Sequence, residues 1–220
     1  TFSFDLEMPA QTNTIYSPFS IGTTLGICEV GARENTQKQI KEALHFTGNQ
    51  NTFAKGFKEL ITNVIQKENG YPNLTLSMET VLFMEKDFDF LPQFQSVVVK
   101  NFFGDLRNID FKNPSKAVQE MNRWFFQQTG GNLGQLFTDK DINPDTKLVV
   151  VSTLFLKAYF EKAFDTANTR IKPFHVAKDK DIQIQTMYQK NSFPYYKGEN
   201  FQVVELAYQP IDKQFALWII

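Results

Sequence analysis

Apolar residues recur at helical spacing through most of the first two-thirds of the chain, and in alternating or unbroken runs through the last third. Ser17 reads as an N-cap with Pro18 at the first helical position; Ile21, Leu25 and Cys28 follow on one face, and Gly31 marks the stop. Thr36 and Gln39 form a capping-box pattern that opens a second helix, "TQKQIKEALHF", with Ile40, Ala43 and Leu44 on its apolar face. A third is expected from about Phe53 to Lys67, where Phe57, Leu60, Ile61, Val64 and Ile65 face inward and Lys55, Lys58, Glu59 and Lys67 face water. "LTLSMETVLFM" at 74–84 alternates and then becomes bulky, as a strand with one covered face would. Helical period returns from Pro92 to Phe103 through Phe94, Val98 and Phe102. It appears again after Asn113-Pro114, with Ala117, Met121, Trp124 and Phe125 inward and Gly130-Gly131 as the stop.

"KLVVVSTLFLKAYF" at 147–160 is a near-continuous β-branched and aromatic run, expected to be a central strand buried on both faces. Shorter strands follow around 169–176, 182–188, 201–208 and 215–220. Helices that precede a set of hairpins make the class α+β. No repeat, low-complexity tract or linker divides the chain. The sequence stops inside an apolar strand at Ile220, whose pairing partners would lie further on, so a piece of a longer protein is expected.

Composition narrows the function more than the fold. The 23 phenylalanines among 220 residues point to a core filled by rings rather than to a cofactor. A net charge of −1 offers no electrostatic footprint for nucleic acid or an anionic membrane, so neither is an expected partner. Cys28 is the single cysteine, which excludes an intrachain disulfide and a cysteine-based metal cluster. No segment has the length of a membrane span, and "TFSFDLEM" lacks the basic and apolar regions of a leader. Either the protein is cytoplasmic or a leader has been removed, and one acceptor sequon, Asn73-Leu74-Thr75, points toward the secreted, extracellular alternative.

Catalytic signatures are missing: there is no G-x-S-x-G, H-E-x-x-H, phosphate loop or paired cysteine ligand. "DKDINPD" at 139–145 offers Asp139, Asp141, Asn143 and Asp145, but Pro144 stands where a calcium loop needs glycine and Val150 where it needs glutamate. A solvated turn is the expected reading. His45 and His175 lie far apart in sequence and read as surface or core residues, and Cys28 as an inert thiol on an apolar stripe. No enzyme activity, metal or cofactor is expected. Lys55, Lys58 and Lys67 could face a sulfated polysaccharide, although Glu59 and Glu68 dilute the patch.

Taken in order, "IYSPFSI" (15–21), "GARENTQKQIKEALHF" (31–46), "MNRWFFQQTGG" (121–131), "NPDTKLVVVSTLFLKAYFEKAF" (143–164), "NTRIKPFHV" (168–176), "MYQKNSFPYY" (187–196) and "VVELAY" (203–208) resemble the serpins, the serine protease inhibitor family. The resemblance implies one serpin domain over 1–220, incomplete at its C-terminus, from a fold of three β-sheets with about eight to nine helices. It implies a suicide trap for a serine protease of trypsin- or chymotrypsin-like class. The protease cuts an exposed reactive loop, and the loop inserts into the main sheet as a new strand and carries the protease with it. The reactive-centre bond would follow Ile220, so a C-terminal fragment of the same serpin is an implied partner.

Within the same resemblance, Ser17, Pro18 and Ser20 belong to the shutter, the region under the main sheet over which its strands part; small hydroxyls suit a site that must slide. Strand 147–158 is the one beside which the loop would insert, with helix 114–129 across that sheet. Four positions depart from the family pattern: Thr80 and Ser152 replace shutter asparagines, Ala158 a glycine, and Phe160 the tryptophan of the breach, where insertion starts. A non-inhibitory serpin that carries a ligand, acts as a chaperone or serves as storage is the alternative these departures leave open.

Overall fold

The computed structural model describes residues 13–66, 73–131, 133–209 and 215–220. Lys67 and Glu68 of the basic patch lie outside them. The described residues form two compact units, the first from 15–66 and 76–155, the second from 13–14, 73–75, 156–209 and 215–220.

In the first unit, helix α1 (Pro18–Gly31) begins as expected: the Ser17 side chain accepts the Ser20 N–H at 3.1 Å, and proline occupies the position where a missing N–H costs nothing. Helix α2 (Glu34–Ala43) corrects the capping-box expectation. It starts two residues before Thr36, with no side-chain cap at Arg33, whose guanidinium instead donates to the Val30 and Ala32 carbonyls that end α1. Its first residue, Glu34, sits at φ 51°, in the left-handed region that favours glycine. Helix α3 (Gln50–Ile61) starts earlier than its apolar period suggests, because Asn49 accepts the Thr52 N–H at 2.9 Å. It passes into a π-turn at Thr62–Gln66, and Leu60 faces solvent rather than the core. Helix α4 (Pro92–Phe102) ends on Phe103 at φ 53°. Helix α5 (Pro114–Gln128) is capped by Asn113, and Gly130 and Gly131 leave it with positive φ of 58° and 84°, a path open mainly to glycine.

The sheet order is β2-β1-β3, with β1 spanning Leu74–Glu85, β2 Asp105–Ile109 and β3 Leu148–Ala158. β2 is parallel to β1; the sequence reading missed it because five residues mostly half-buried or exposed carry little alternation. β3 runs antiparallel to β1: the Glu85 N–H donates to the Lys147 carbonyl at 2.9 Å, and the Tyr159 N–H to Asn73 at 3.3 Å. Among the described residues β1 is the middle strand, with Thr80 to Phe83 all buried. Among the described residues β3 pairs with β1, and Leu148, Leu154 and Leu156 are exposed in this chain.

Strand alternation sends residues of β1 and β3 to two cores. Val81 and Phe83, with Val149 and Val151 beside them, meet Ala117, Met121, Trp124 and Phe125 of α5. Leu82 and Val150 meet Ile27, Phe53, Phe57, Val98 and Phe102 of α1, α3 and α4. Rings contribute to both cores, Phe83, Phe111, Trp124 and Phe125 to one and Phe53, Phe57 and Phe102 to the other, among a majority of aliphatic and small residues; each buried phenylalanine contributes roughly 1.5–3 kcal/mol of hydrophobic free energy. The close approach of α1 to these rings needs Gly26, where a Cβ would stand 2.9 Å from the Phe57 ring.

The second unit contains two small sheets. Strands β4 (Arg170–Ala177) and β5 (Lys180–Thr186) form an antiparallel hairpin. β6 (Tyr195–Lys197), β7 (Gln202–Ala207) and β8 (Ala216–Ile219) form an antiparallel set with β7 in the middle. Three sheets and five α-helices among the described residues make a mixed fold of the α+β class.

Candidate functional site

Thr80 and Ser152 lie on facing positions of β1 and β3, and on the even-numbered face shared with Leu82 and Val150, toward α1 and α4. Thr80 is 2% exposed, and its Oγ1 donates to the Ser152 Oγ at 3.1 Å. Two hydroxyls thus join the paired strands where an apolar pair would otherwise pack. Such a bond is exchangeable: it can be broken and remade as strands move without leaving a cavity.

Ser17 and Ser20 sit at the start of α1. Ser20 is 7% exposed, yet its Oγ makes no hydrogen bond among the described residues, while its carbonyl accepts Thr24 Oγ1 at 2.9 Å. A buried hydroxyl without a partner is a polar group in waiting, costing on the order of 1–3 kcal/mol until something meets it. The hydrogen bonds tie Thr80 to Ser152 and Ser17 to Ser20 but do not connect one pair with the other. Pro18 is half-buried in the first turn.

Phe160, in the second unit, follows the end of β3. Its ring stacks on Tyr208 with centroids 4.9 Å apart and planes at 19°, and meets Phe164 edge-on at 5.6 Å. Phe160 and Tyr208 also form an isolated antiparallel bridge. Gln209 closes the junction, its N–H donating to the Tyr159 carbonyl at 2.8 Å and its Nε2 to the Phe160 carbonyl at 3.3 Å. Sequence reasoning found Phe160 but missed Tyr208 and Gln209, whose signal is only a tyrosine at the end of the "VVELAY" strand.

Other singled-out residues take structural roles. Cys28 is half-buried and burial pushes its thiol pKa up, so the nucleophilic thiolate is disfavoured. It lines an apolar groove of about 560 Å³ with Val30, Leu82, Phe94, Val97 and Val150. In the 139–145 turn, Asp141 accepts the Thr138 N–H at 2.7 Å and its hydroxyl at 2.8 Å, which holds the carboxyl below its usual range. Asp139 takes the Ser115 hydroxyl, and Asn143 accepts the Asp145 N–H. Asp141 and Asn143 therefore serve the turn's own backbone, and Asp139 ties the turn to α5. His45 is an exposed residue at φ 51° just after α2, and His175 is an exposed neighbour of Asp181 at 2.6 Å. Lys55 and Lys58 are exposed on α3. No group of three or more His, Cys, Asp and Glu among the described residues is placed to hold a metal. No helix among them is long and apolar enough to cross a membrane.

Comparison with known proteins places this arrangement. The family described as "Serpin (serine protease inhibitor)" matches residues 3–220. A leukocyte elastase inhibitor of Xenopus tropicalis is 34% identical over 227 residues, covering 100% of this chain and 59% of its own length. An Arabidopsis serpin in its native stressed conformation superposes with a TM-score of 0.88 at 21% identity, covering 96% of this chain and 54% of its own. Human thyroxine-binding globulin with its bound hormone superposes with a TM-score of 0.83 at 27% identity, covering 91% and 54%. The chain belongs to the serpin family and has the serpin fold. It spans between about half and three-fifths of the length of these relatives.

Proposed function

We propose that the protein to which this chain belongs inhibits a serine-type endopeptidase, of trypsin- or chymotrypsin-like class, by inserting its cleaved loop beside β3. The observation that carries this reading is the match of residues 3–220 to the serine protease inhibitor family, together with 34% identity to a leukocyte elastase inhibitor. β3 is the strand beside which the loop would add, its outward backbone N–H and C=O groups pairing with the inserted strand. Beneath it the Thr80–Ser152 hydroxyl pair is the bond that lets the strands shift, with Ser17, Pro18 and Ser20 as the small residues on which they slide.

On this reading the protease's serine attacks the bait bond and forms an acyl-enzyme. The freed loop then enters at the Phe160–Tyr208 junction and zips along β3 before water can hydrolyse the ester. The bait and its hinge belong to residues outside 1–220, and the part of the protein that carries them is this chain's first partner. Similarity to leukocyte elastase inhibitors supports a protease as the second.

A ligand-carrying serpin is the second reading, favoured by the apolar groove beside Cys28 and by the likeness to thyroxine-binding globulin. One experiment separates them: the whole protein is mixed with trypsin- and chymotrypsin-like proteases and resolved by denaturing electrophoresis. A covalent complex that survives denaturation is the expected result. Cleavage without a complex overturns the inhibitor reading.

A further inference from the structure

The sequon Asn73-Leu74-Thr75 takes no part in the trap, and its geometry gives it another use. Leu74 is 4% exposed and turned inward, whereas Asn73 and Thr75 on either side of it are exposed. Residues two apart in extended chain share a face, so the amide and the threonine hydroxyl that an N-glycosylation acceptor requires are presented together at the surface.

The Asn73 side chain is exposed, and its amide nitrogen makes one hydrogen bond among the described residues. Its Nδ2 donates to the Gln209 Oε1 at 2.8 Å, and no second acceptor meets it among the described residues. Of the two Nδ2 hydrogens one is engaged and one is spare. We propose that Asn73 is a site of N-linked glycosylation, with the glycan standing at the head of β1. The donor is an oligosaccharide linked through a diphosphate to a polyprenyl lipid. Nδ2 bonds to the sugar C1 as the C1–O bond to the diphosphate breaks; the lipid diphosphate leaves with the electron pair and takes up the proton that Nδ2 gives up. The hydrogen that remains keeps the bond to Gln209. Because the Asn73 carbonyl accepts the Tyr159 N–H, and Gln209 is bonded to Tyr159 and Phe160, the sugar is tethered to the segment that follows β3.

This inference goes beyond the inhibitor reading and does not depend on it. Peptides spanning residue 73 are analysed by mass spectrometry in protein from its native source, before and after peptide N-glycosidase, which releases the sugar and leaves aspartate at position 73. The expected result is a glycan on most copies. In cells that produce the native glycoform, Thr75→Ala abolishes it and Thr75→Ser retains it. A native peptide that carries unmodified asparagine overturns the proposal, as does a glycan at residue 73 that persists in Thr75→Ala. Occupancy is read without any protease, so it stands or falls separately from inhibition.

Discussion

Removing the Ser152 hydroxyl probes the bond between β1 and β3 directly. In Ser152→Ala the Thr80 Oγ1, in a residue only 2% exposed, loses the acceptor 3.1 Å away. A buried hydroxyl left without its partner costs about 1–3 kcal/mol. Thr80→Val removes the other half while keeping the branched shape, and is expected to cost less, about 0.5–1.5 kcal/mol, because serine is half-buried and retains access to water. The double variant has no stranded donor, so its loss falls short of the sum of the singles by about 0.5–1.5 kcal/mol. Equilibrium unfolding in urea of the wild type and the three variants measures this coupling. Additive losses, within about 0.3 kcal/mol, would show that the two hydroxyls do not work as a pair and would remove the shutter bond from the account.

Restoring the family's residue in Ser152→Asn is expected to change the rate of loop insertion or polymerisation more than it changes native stability; unaltered kinetics of both processes would count against a shutter role. Glu34→Gly relieves a side chain held at φ 51° and should raise stability by about 0.5–1 kcal/mol in denaturant titration, whereas a loss would mean that the conformation carries no strain. Hydrogen bonds from Thr138 lower the Asp141 pKa in the folded protein, so their contribution is present above the ordinary carboxylate pKa and is lost as pH falls through the depressed value. Asp141→Asn should therefore lower the melting temperature at neutral pH, with the gap to wild type closing in strong acid; a gap independent of pH refutes it.

Helices with both a cap and a period were legible in the sequence: Ser17-Pro18 and Asn113-Pro114 open α1 and α5 where they were expected. Local chemistry was less reliable where tertiary groups compete for it. The Thr36–Gln39 pattern lost to a start at Glu34, and the period of 53–67 did not reveal the π-turn that ends α3. β2 was invisible because its register is set by pairing with β1 rather than by its own pattern. At the site, the family resemblance supplied Thr80, Ser152 and Phe160, but nothing local foretold that the first two bond to each other or that Tyr208 stacks on the third. Such contacts join residues about 50 to 70 positions apart, where no short-range period reaches.

If the cleaved loop adds to the sheet beside β3, cleavage must raise the thermal unfolding midpoint of the whole protein, and that midpoint before and after cleavage in the reactive loop tests insertion most directly. About half of β3's eleven residues offer an outward pair of backbone groups, so insertion adds at least about five hydrogen bonds at roughly 1 kcal/mol each. For the whole protein, of which this chain is about three-fifths, an unfolding entropy of roughly 2.1 cal/mol/K per residue turns that into a rise of at least about 6 °C in the cleaved form. A cleaved protein that melts at or below the temperature of the intact one would contradict it.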